Sequence, residues 1–192
     1  PLETDESFRQ VIPYLIIRVD GKVVAYTRAP KGGEIRLHGK VSVGLGGHID
    51  LPDAAANADG HLDIARTLDL AAARELAEEA DLRAREWHTL VDYYTTPGGS
   101  SEAIRVFLAR QIEEIPDGER HTRQDEEAAM PLVWVGVDEV TDAVLDGRVH
   151  NPSTVVAVLA LGAHRAQGWR RLRPVDAPFV PDRQAPGADW SA

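Results

Sequence analysis

Arg74-Glu75-Leu76-Ala77-Glu78-Glu79-Ala80-Asp81-Leu82 places three glutamates inside a run of strong helix formers whose helical signals begin near Thr67. Thr67 or Asp69 is the expected N-cap. At 100° per residue, Glu75, Glu78 and Glu79 fall within roughly one third of the helix circumference. Ala72 and Leu76 point to another face, which can be buried. Like charges spaced i,i+3 and i,i+4 oppose an exposed helix by about 0.2–0.5 kcal/mol each, and Arg74 offsets only part of that. A solvated acidic face would explain the pattern. So would a carboxylate cluster for a hard divalent cation, because Mg²⁺ takes oxygen ligands and completes its shell with waters and substrate phosphates.

Immediately upstream, Lys40 to Leu45 reads as a short strand running into Gly46-Gly47, where backbone can approach a phosphate-bearing ligand closely. Leu51 to Gly60 is rich in Pro, Asp, Ala and Asn and reads as loop. Gly44-Leu45-Gly46-Gly47 is not followed by Gly-Lys-Ser/Thr, so it is no P-loop, and Ile49 breaks a dinucleotide fingerprint. The seven histidines show no metal-ligand pairing at helical spacing. His48 beside the glycines is expected to make a structural hydrogen bond.

Arg74-Glu75-Leu76-x-Glu78-Glu79 resembles the core of the Nudix box, G-x5-E-x7-R-E-U-x-E-E-x-G-U with U aliphatic. The resemblance implies an α+β chain folded as a Nudix-type α/β/α sandwich with a central mixed β-sheet. It also implies hydrolysis of nucleoside diphosphates linked to another moiety, with Mg²⁺ or Mn²⁺ as cofactor. Two registers are open for the first half of the box. Gly60 stands at the family's distance from Arg74 but puts Arg66 where the first glutamate belongs. Gly47 instead puts Asp53 in the acidic place and requires an inserted segment before the helix. Gly47 is preferred, because Val41–Gly47 has the strand-then-glycine form. Asp81 replaces the glycine after the helix, a mild change because Asp tolerates left-handed geometry.

A second stretch, Thr96-Pro97-Gly98-Gly99-Ser100-Ser101-Glu102, resembles a loop of the ADP-ribose pyrophosphatases of that family. From Leu70 to about Pro174 the chain follows an actinobacterial type of that enzyme, including Asn151-Pro152-Ser153. The first half, with Ile12-Pro13-Tyr14 and Gly44-x-Gly46-Gly47-His48-Ile49, resembles another Nudix subgroup, so the chain reads as a mosaic. Carried over residue by residue, the resemblance makes Glu75, Glu78 and Glu79 the metal ligands. Glu126 or Glu127, in Asp125-Glu126-Glu127, is the loop glutamate that orients or deprotonates water, and Glu78 doubles as a shared catalytic carboxylate. Gly46, Gly47, Arg28, Ser101 and Glu102 are the expected substrate contacts, with Arg36 a further candidate. The expected reaction takes ADP-ribose to AMP and ribose 5-phosphate. The alternative is a Nudix-fold nucleotide or nucleotide-sugar binding module with weakened catalysis. An isopentenyl-diphosphate isomerase is discounted, since its catalytic cysteine cannot exist here.

Around these motifs, Val11–Arg18 and Lys22–Arg28 flank Asp20-Gly21 and read as an antiparallel hairpin. Further strands are expected at Trp87–Tyr94, Ala103–Arg110 and Leu132–Val137, and helices at Asp138–Leu145 and Thr154–Ala166. Trp87, Trp134 and Trp169 are assigned to the core. The 192 residues suit one domain, expected over 1–168, with a Pro-rich tail over 169–192. Hydrophobic residues at 43% and charged ones at 27% are globular usage. Lys+Arg 21 against Asp+Glu 31 gives −10, which argues against general nucleic-acid binding. No cysteine means no thiol nucleophile, thiolate zinc site or disulfide. Val11–Ile17 is too short to span a bilayer and lacks the flanks of a signal peptide, so no membrane association and a cytoplasmic location are expected. The expected partner is a nucleoside diphosphate derivative, with room for a homodimer.

Overall fold

The computed structural model describes residues 11–27, 41–96, 99, 102–121 and 131–178. β1 (Val11–Val19) is built of alternating faces: Tyr14 and Ile16 enter one apolar cluster, while Leu15 and Ile17 enter another on the opposite side. Because strand side chains alternate, a strand buried at every position from Pro13 to Ile17 needs cover on both faces. Asp20 and Gly21 both take positive φ, 46° and 78°, and turn the chain into β2 (Lys22–Thr27) as the Asp-Gly pair predicts.

β3 (Val41–Val43) and β4 (Leu45–Gly46) are two pieces of the one strand expected there. Gly44, at φ +95° with Leu15 O only 2.4 Å from where a Cβ would sit, makes the break. α1 (Ile64–Ala80) then leads into the long strand β5 (Leu82–Tyr94), its return β6 (Ala103–Glu114) and β7 (Leu132–Gly136). α2 (Val137–Leu145), α3 (Pro152–Ala166) and the short β8 (Arg173–Pro174) follow. The sheet runs β3-β2-β1-β6-β5-β8, with β4 also on β1 and β7 on β2. β1 and β6 are parallel and the other pairs antiparallel, so the sheet is mixed.

Leu68, Ala72, Leu76 and Ala80 of α1, spaced four apart, cover the face of Leu15, Ile17, Phe107 and Ala109. Val137 and Val140 of α2 and Ala157, Val158 and Leu161 of α3 cover the face of Tyr14, Ile16, Val106 and Leu108. The result is the expected α/β/α sandwich around a mixed sheet. No helix among the described residues is long and apolar enough to cross a membrane.

Three readings change. α1 starts at Ile64 with Asp63 as its cap, whose side chain accepts from Arg66 N at 3.0 Å. Thr67 and Asp69 are therefore helix interior, and Thr67 instead accepts from Ala55 N at 3.0 Å. Leu51–Asp53, read as loop, forms a 3-10 turn. Trp134 is not core, being 44% exposed. Beyond 168 the described chain is attached to the sheet: β8 pairs with β5, and Ala177 is buried. Arg105, buried in β6, donates to Ala177 O at 2.7 Å and Pro178 O at 3.1 Å while its Nε meets Asp92 at 2.8 Å.

Candidate active site

Glu75 stands on the flank of α1 that faces the glycine loop. It is 7% exposed, and a Cβ on Gly47 would lie 2.2 Å from its carboxylate. Only glycine leaves that space. Gly60, the competing first glycine, has nothing within 4 Å, so the geometry sides with the Gly47 register. Gly46 is likewise pressed on Tyr14, whose ring carbon is 2.6 Å from the position of an added Cβ.

Asp53, in the acidic place of that register, is 4% exposed and grips Arg74 bidentately: Arg74 Nε donates to Oδ1 at 3.1 Å and an Nη to Oδ2 at 3.1 Å. The inserted segment therefore loops out without disturbing the contact between the ends it separates. It is closed by an Ala56–Leu62 bridge and by Asn57 Oδ1, which accepts from Asp59 N and His61 N.

Arg74 gathers the rest. It donates to Glu78 at 2.8 Å and to His48 O at 2.9 Å, and lies 3.1 Å from Glu75 and 3.2 Å from Asp50. His48 thus contributes through its backbone. Glu79 hydrogen-bonds Glu75, so all three glutamates of the helix meet in one patch. Burial pushes the Glu75 carboxyl above its ordinary value and the Glu78 charge adds to this, against the pull of Arg74 and Glu79. Burial also works to raise Asp53, but the hydrogen bonds and charge of Arg74 outweigh it and Asp53 ends below its ordinary value. Arg74 itself is held more firmly protonated by Asp53, Glu78 and Glu75, in spite of its own burial.

The C-terminus of α1 closes as the sequence suggests. Asp81 sits at φ 55°, ψ 35° and its N–H caps Ala77 O at 3.2 Å. Glu102 lies where the chain re-enters at β6, its carbonyl accepting from Thr95 N at 3.3 Å. Burial raises the Tyr93 hydroxyl above its ordinary value, opposed by the hydrogen bond to Ser153 and helped by the Glu102 charge. Tyr93 bonds Ser153 at 2.7 Å, and the neighbouring Thr154 Oγ1 lies 3.0 Å from Tyr14 Oη. Asn151 caps α3 by accepting from Thr154 N at 2.9 Å. The Asn151-Pro152-Ser153 motif therefore ties α3 to the sheet beside Tyr14 and Glu102.

Arg28, Arg36, Ser101, Glu126 and Glu127 lie outside the described residues. Among the described residues, no three His, Cys, Asp or Glu side chains are already arranged to hold a metal ion. Arg74 engages two of the glutamates instead. The donor set still fits a hard cation, being carboxylate oxygens only, with more negative groups than the single guanidinium can neutralise. Sequence reading missed Asp50 as a fourth acidic neighbour of Arg74. Its signal was the spacing Asp50-x-x-Asp53, a capping pattern in which Asp50 N donates to Asp53 Oδ2 at 2.9 Å.

The family profile described as NUDIX domain matches residues 14–155. An ADP-ribose pyrophosphatase of Mycobacterium tuberculosis is 39% identical over 122 residues, 63% of this chain and 57% of that protein. Protein YmaB of Bacillus subtilis is 28% identical over 156 residues, 80% of this chain and 72% of that protein. The chain thus spans little more than half the length of the pyrophosphatase. Two solved structures share the fold, each with a TM-score of 0.58. One is an ADP compounds hydrolase, at 17% identity and covering 83% of this chain and 75% of that one. The other is a NUDIX hydrolase from Nitrosomonas europaea, at 16% identity and covering 91% and 99%.

Proposed function

Because the chain belongs to the Nudix family, we propose that it is a divalent-metal-dependent hydrolase of nucleoside diphosphates linked to another moiety, with ADP-ribose cleaved to AMP and ribose 5-phosphate. The observation that carries this reading is the buried Glu75 set against Gly47 and sharing one patch with Glu78 and Glu79. A carboxylate kept from water at the expense of its own ionisation has a poor structural purpose, since a leucine would pack better there. The 39% identity to an ADP-ribose pyrophosphatase supports the choice of substrate.

Glu75, Glu78 and Glu79 would hold the cation, Mg²⁺ or Mn²⁺. When bound, the cation screens phosphate charge and raises the acidity of a coordinated water. The chain's residues supply the rest. Arg74, anchored by Asp53, sets the rotamers of Glu75 and Glu78 and withholds its own proton from the chemistry. Gly47 leaves room for Glu75 and for the approach of phosphate to backbone. Glu126 or Glu127 accepts a proton from the attacking water as its oxygen bonds one phosphorus. The bridging P–O bond then breaks, and the second phosphate leaves with the electron pair. Glu102 and Ser101 hold polar groups of the substrate, and Arg28 meets a phosphate.

Incubation with ADP-ribose and a panel of nucleoside diphosphate sugars, with Mg²⁺, Mn²⁺ or EDTA, tests this reading. AMP and ribose 5-phosphate appearing only with metal is the expected result. Thermal stabilisation by nucleotides without turnover of any substrate would replace the hydrolase by a binding module.

A further inference from the structure

On the face of the sheet away from α1, the far end of β1 carries a cation that no described carboxylate pairs with. Ile16 and Leu108 enter the core beneath α2 and α3. Arg18 and Arg110, two residues further along β1 and β6, follow them on that face by strand alternation. Both guanidinia stack on Trp169, just past the end of α3, with their central carbons 4.8 and 5.8 Å from the ring centroid. Trp169 holds φ +64°, a left-handed conformation costly for a bulky residue. The indole is therefore kept in place at the expense of the backbone.

The three arginines gathered here are satisfied unequally. Arg110 donates to Glu86 at 3.1 Å, and Gln111 donates to the other oxygen of that carboxylate at 3.1 Å. Arg165, in the last turn of α3, is bonded to Asp138 in the first turn of α2. Arg18 has no ion pair among the described residues, and its buried Nε has no hydrogen-bond partner among them. Burial and the charges of Arg110 and Arg165 hold the Arg18 guanidinium below its ordinary value, and Asp20 offsets only part of this. A guanidinium stays charged at neutral pH all the same, so an unmatched one at this position opposes folding. A methionine would stack on the indole without that penalty.

We propose that Arg18, with Arg110 and Arg165 near it, receives a phosphate group, as the free ion or as a monoester, at a site separate from the hydrolytic centre. Three guanidinia around one position suit a tetrahedral oxyanion, whose oxygens face more than one of them. A planar carboxylate is satisfied by a single fork. Stacking on Trp169 orients the Arg18 fork before the ligand arrives, which lowers the ordering cost of binding. The site stands on the α2 and α3 side of the sheet, while the helix that carries Glu75, Glu78 and Glu79 covers the other side. Phosphate held here therefore does not compete with the substrate.

Inorganic phosphate, glycerol 2-phosphate and acetate are titrated by calorimetry into metal-free protein in EDTA, at an ionic strength fixed with chloride. Wild type, Arg18→Met and Arg18→Lys are compared, with melts of each in chloride and in phosphate. The wild type is expected to bind phosphate and to gain Tm from it. Arg18→Met should melt at or above the wild type in chloride, lose the gain from phosphate, and bind phosphate roughly tenfold more weakly or worse. Arg18→Lys should recover only part of the affinity, since an ammonium lacks the planar fork. Binding of glycerol 2-phosphate as well would assign the site to monoesters, and binding of phosphate alone to the free ion; either supports it. Acetate bound as tightly as phosphate, equal phosphate binding in Arg18→Met and wild type, or no phosphate binding by the wild type would overturn it. So would an Arg18→Met melt lowered equally in both salts, which would make the stack on Trp169 a structural joint only.

Discussion

Two arginines organise this molecule, and they are surrounded in opposite ways. Arg105 is fully buried, grips Asp92 at 2.8 and 3.0 Å, and gives its remaining donors to the carbonyls of Ala177 and Pro178. Arg173 reaches the same Asp92 at 2.9 Å, so positive charge there exceeds negative. Arg74 is partly open and faces Asp50, Asp53, Glu75 and Glu78, so negative charge exceeds positive. The first arrangement is closed: its donors are used within the chain and it clamps the segment after β8 to the sheet. The second is in deficit by several positive charges, which an added divalent cation would reduce. Arginine donors spent on carbonyls of the chain make a joint, whereas carboxylates in excess around one arginine make a candidate cation site.

Substitutions should separate the joint from the site. If Glu75 is the proposed ligand, Glu75→Gln would weaken a cation that stabilises the transition state by several kcal/mol, and kcat is expected to fall by about a thousandfold. Its stability should hold or rise, because a buried charge is removed; denaturant melts beside steady-state rates read both. Arg105→Met should do the reverse. It leaves the Ala177 and Pro178 carbonyls without their donor and half-buried Asp92 short of a partner, for a loss of about 3–5 kcal/mol. The folded fraction should keep its turnover per molecule, as urea titration and active-site counting would reveal.

Gly47→Ala sharpens the comparison further. Its methyl would meet the Glu75 carboxylate, the mobile end of a side chain, so the fold yields cheaply while Glu75 moves. A displacement of about 1 Å near reacting groups can lower rate by about a hundredfold. Crystallography or a rate assay would show the shift with little change in Tm. The smallest effect is in pH. Asp53 is held below its ordinary value by Arg74, so its contribution is present above the unfolded-state value and is lost as pH falls through the folded-state value. Wild type should therefore lose stability on that acid limb, below the usual aspartate range. Asp53→Asn should lie lower at neutral pH and show a flatter limb in melts taken from pH 7 downward.

Much of this was legible in the chain. The Asp20-Gly21 turn, the apolar alternation of β1 and the helical grouping of Glu75, Glu78 and Glu79 are local signals, and each became the element expected of it. The Gly47–Asp53 register was readable because strand-then-glycine is also local. Less legible were features set by distant partners. α1 begins three residues before Thr67, because Asp63 caps it and Thr67 is recruited by Ala55 across the inserted loop. Arg105 reads as a strand residue among apolar neighbours, and nothing near it in sequence announces Ala177 and Pro178, 72 and 73 residues away. Trp134 sits in the uncharged strand Leu-Val-Trp-Val-Gly, which looks like core, yet among the described residues it is 44% exposed.

Direct binding of Mn²⁺, followed by the loss of its free-ion paramagnetic resonance signal, tests the central claim that the charge deficit around Arg74 is a cation site. The wild type should take up Mn²⁺, Arg105→Met should do so equally at a temperature where it is folded, and Glu75→Gln/Glu79→Gln should not. Uptake that survives in the double variant, or none in the wild type, would contradict the account.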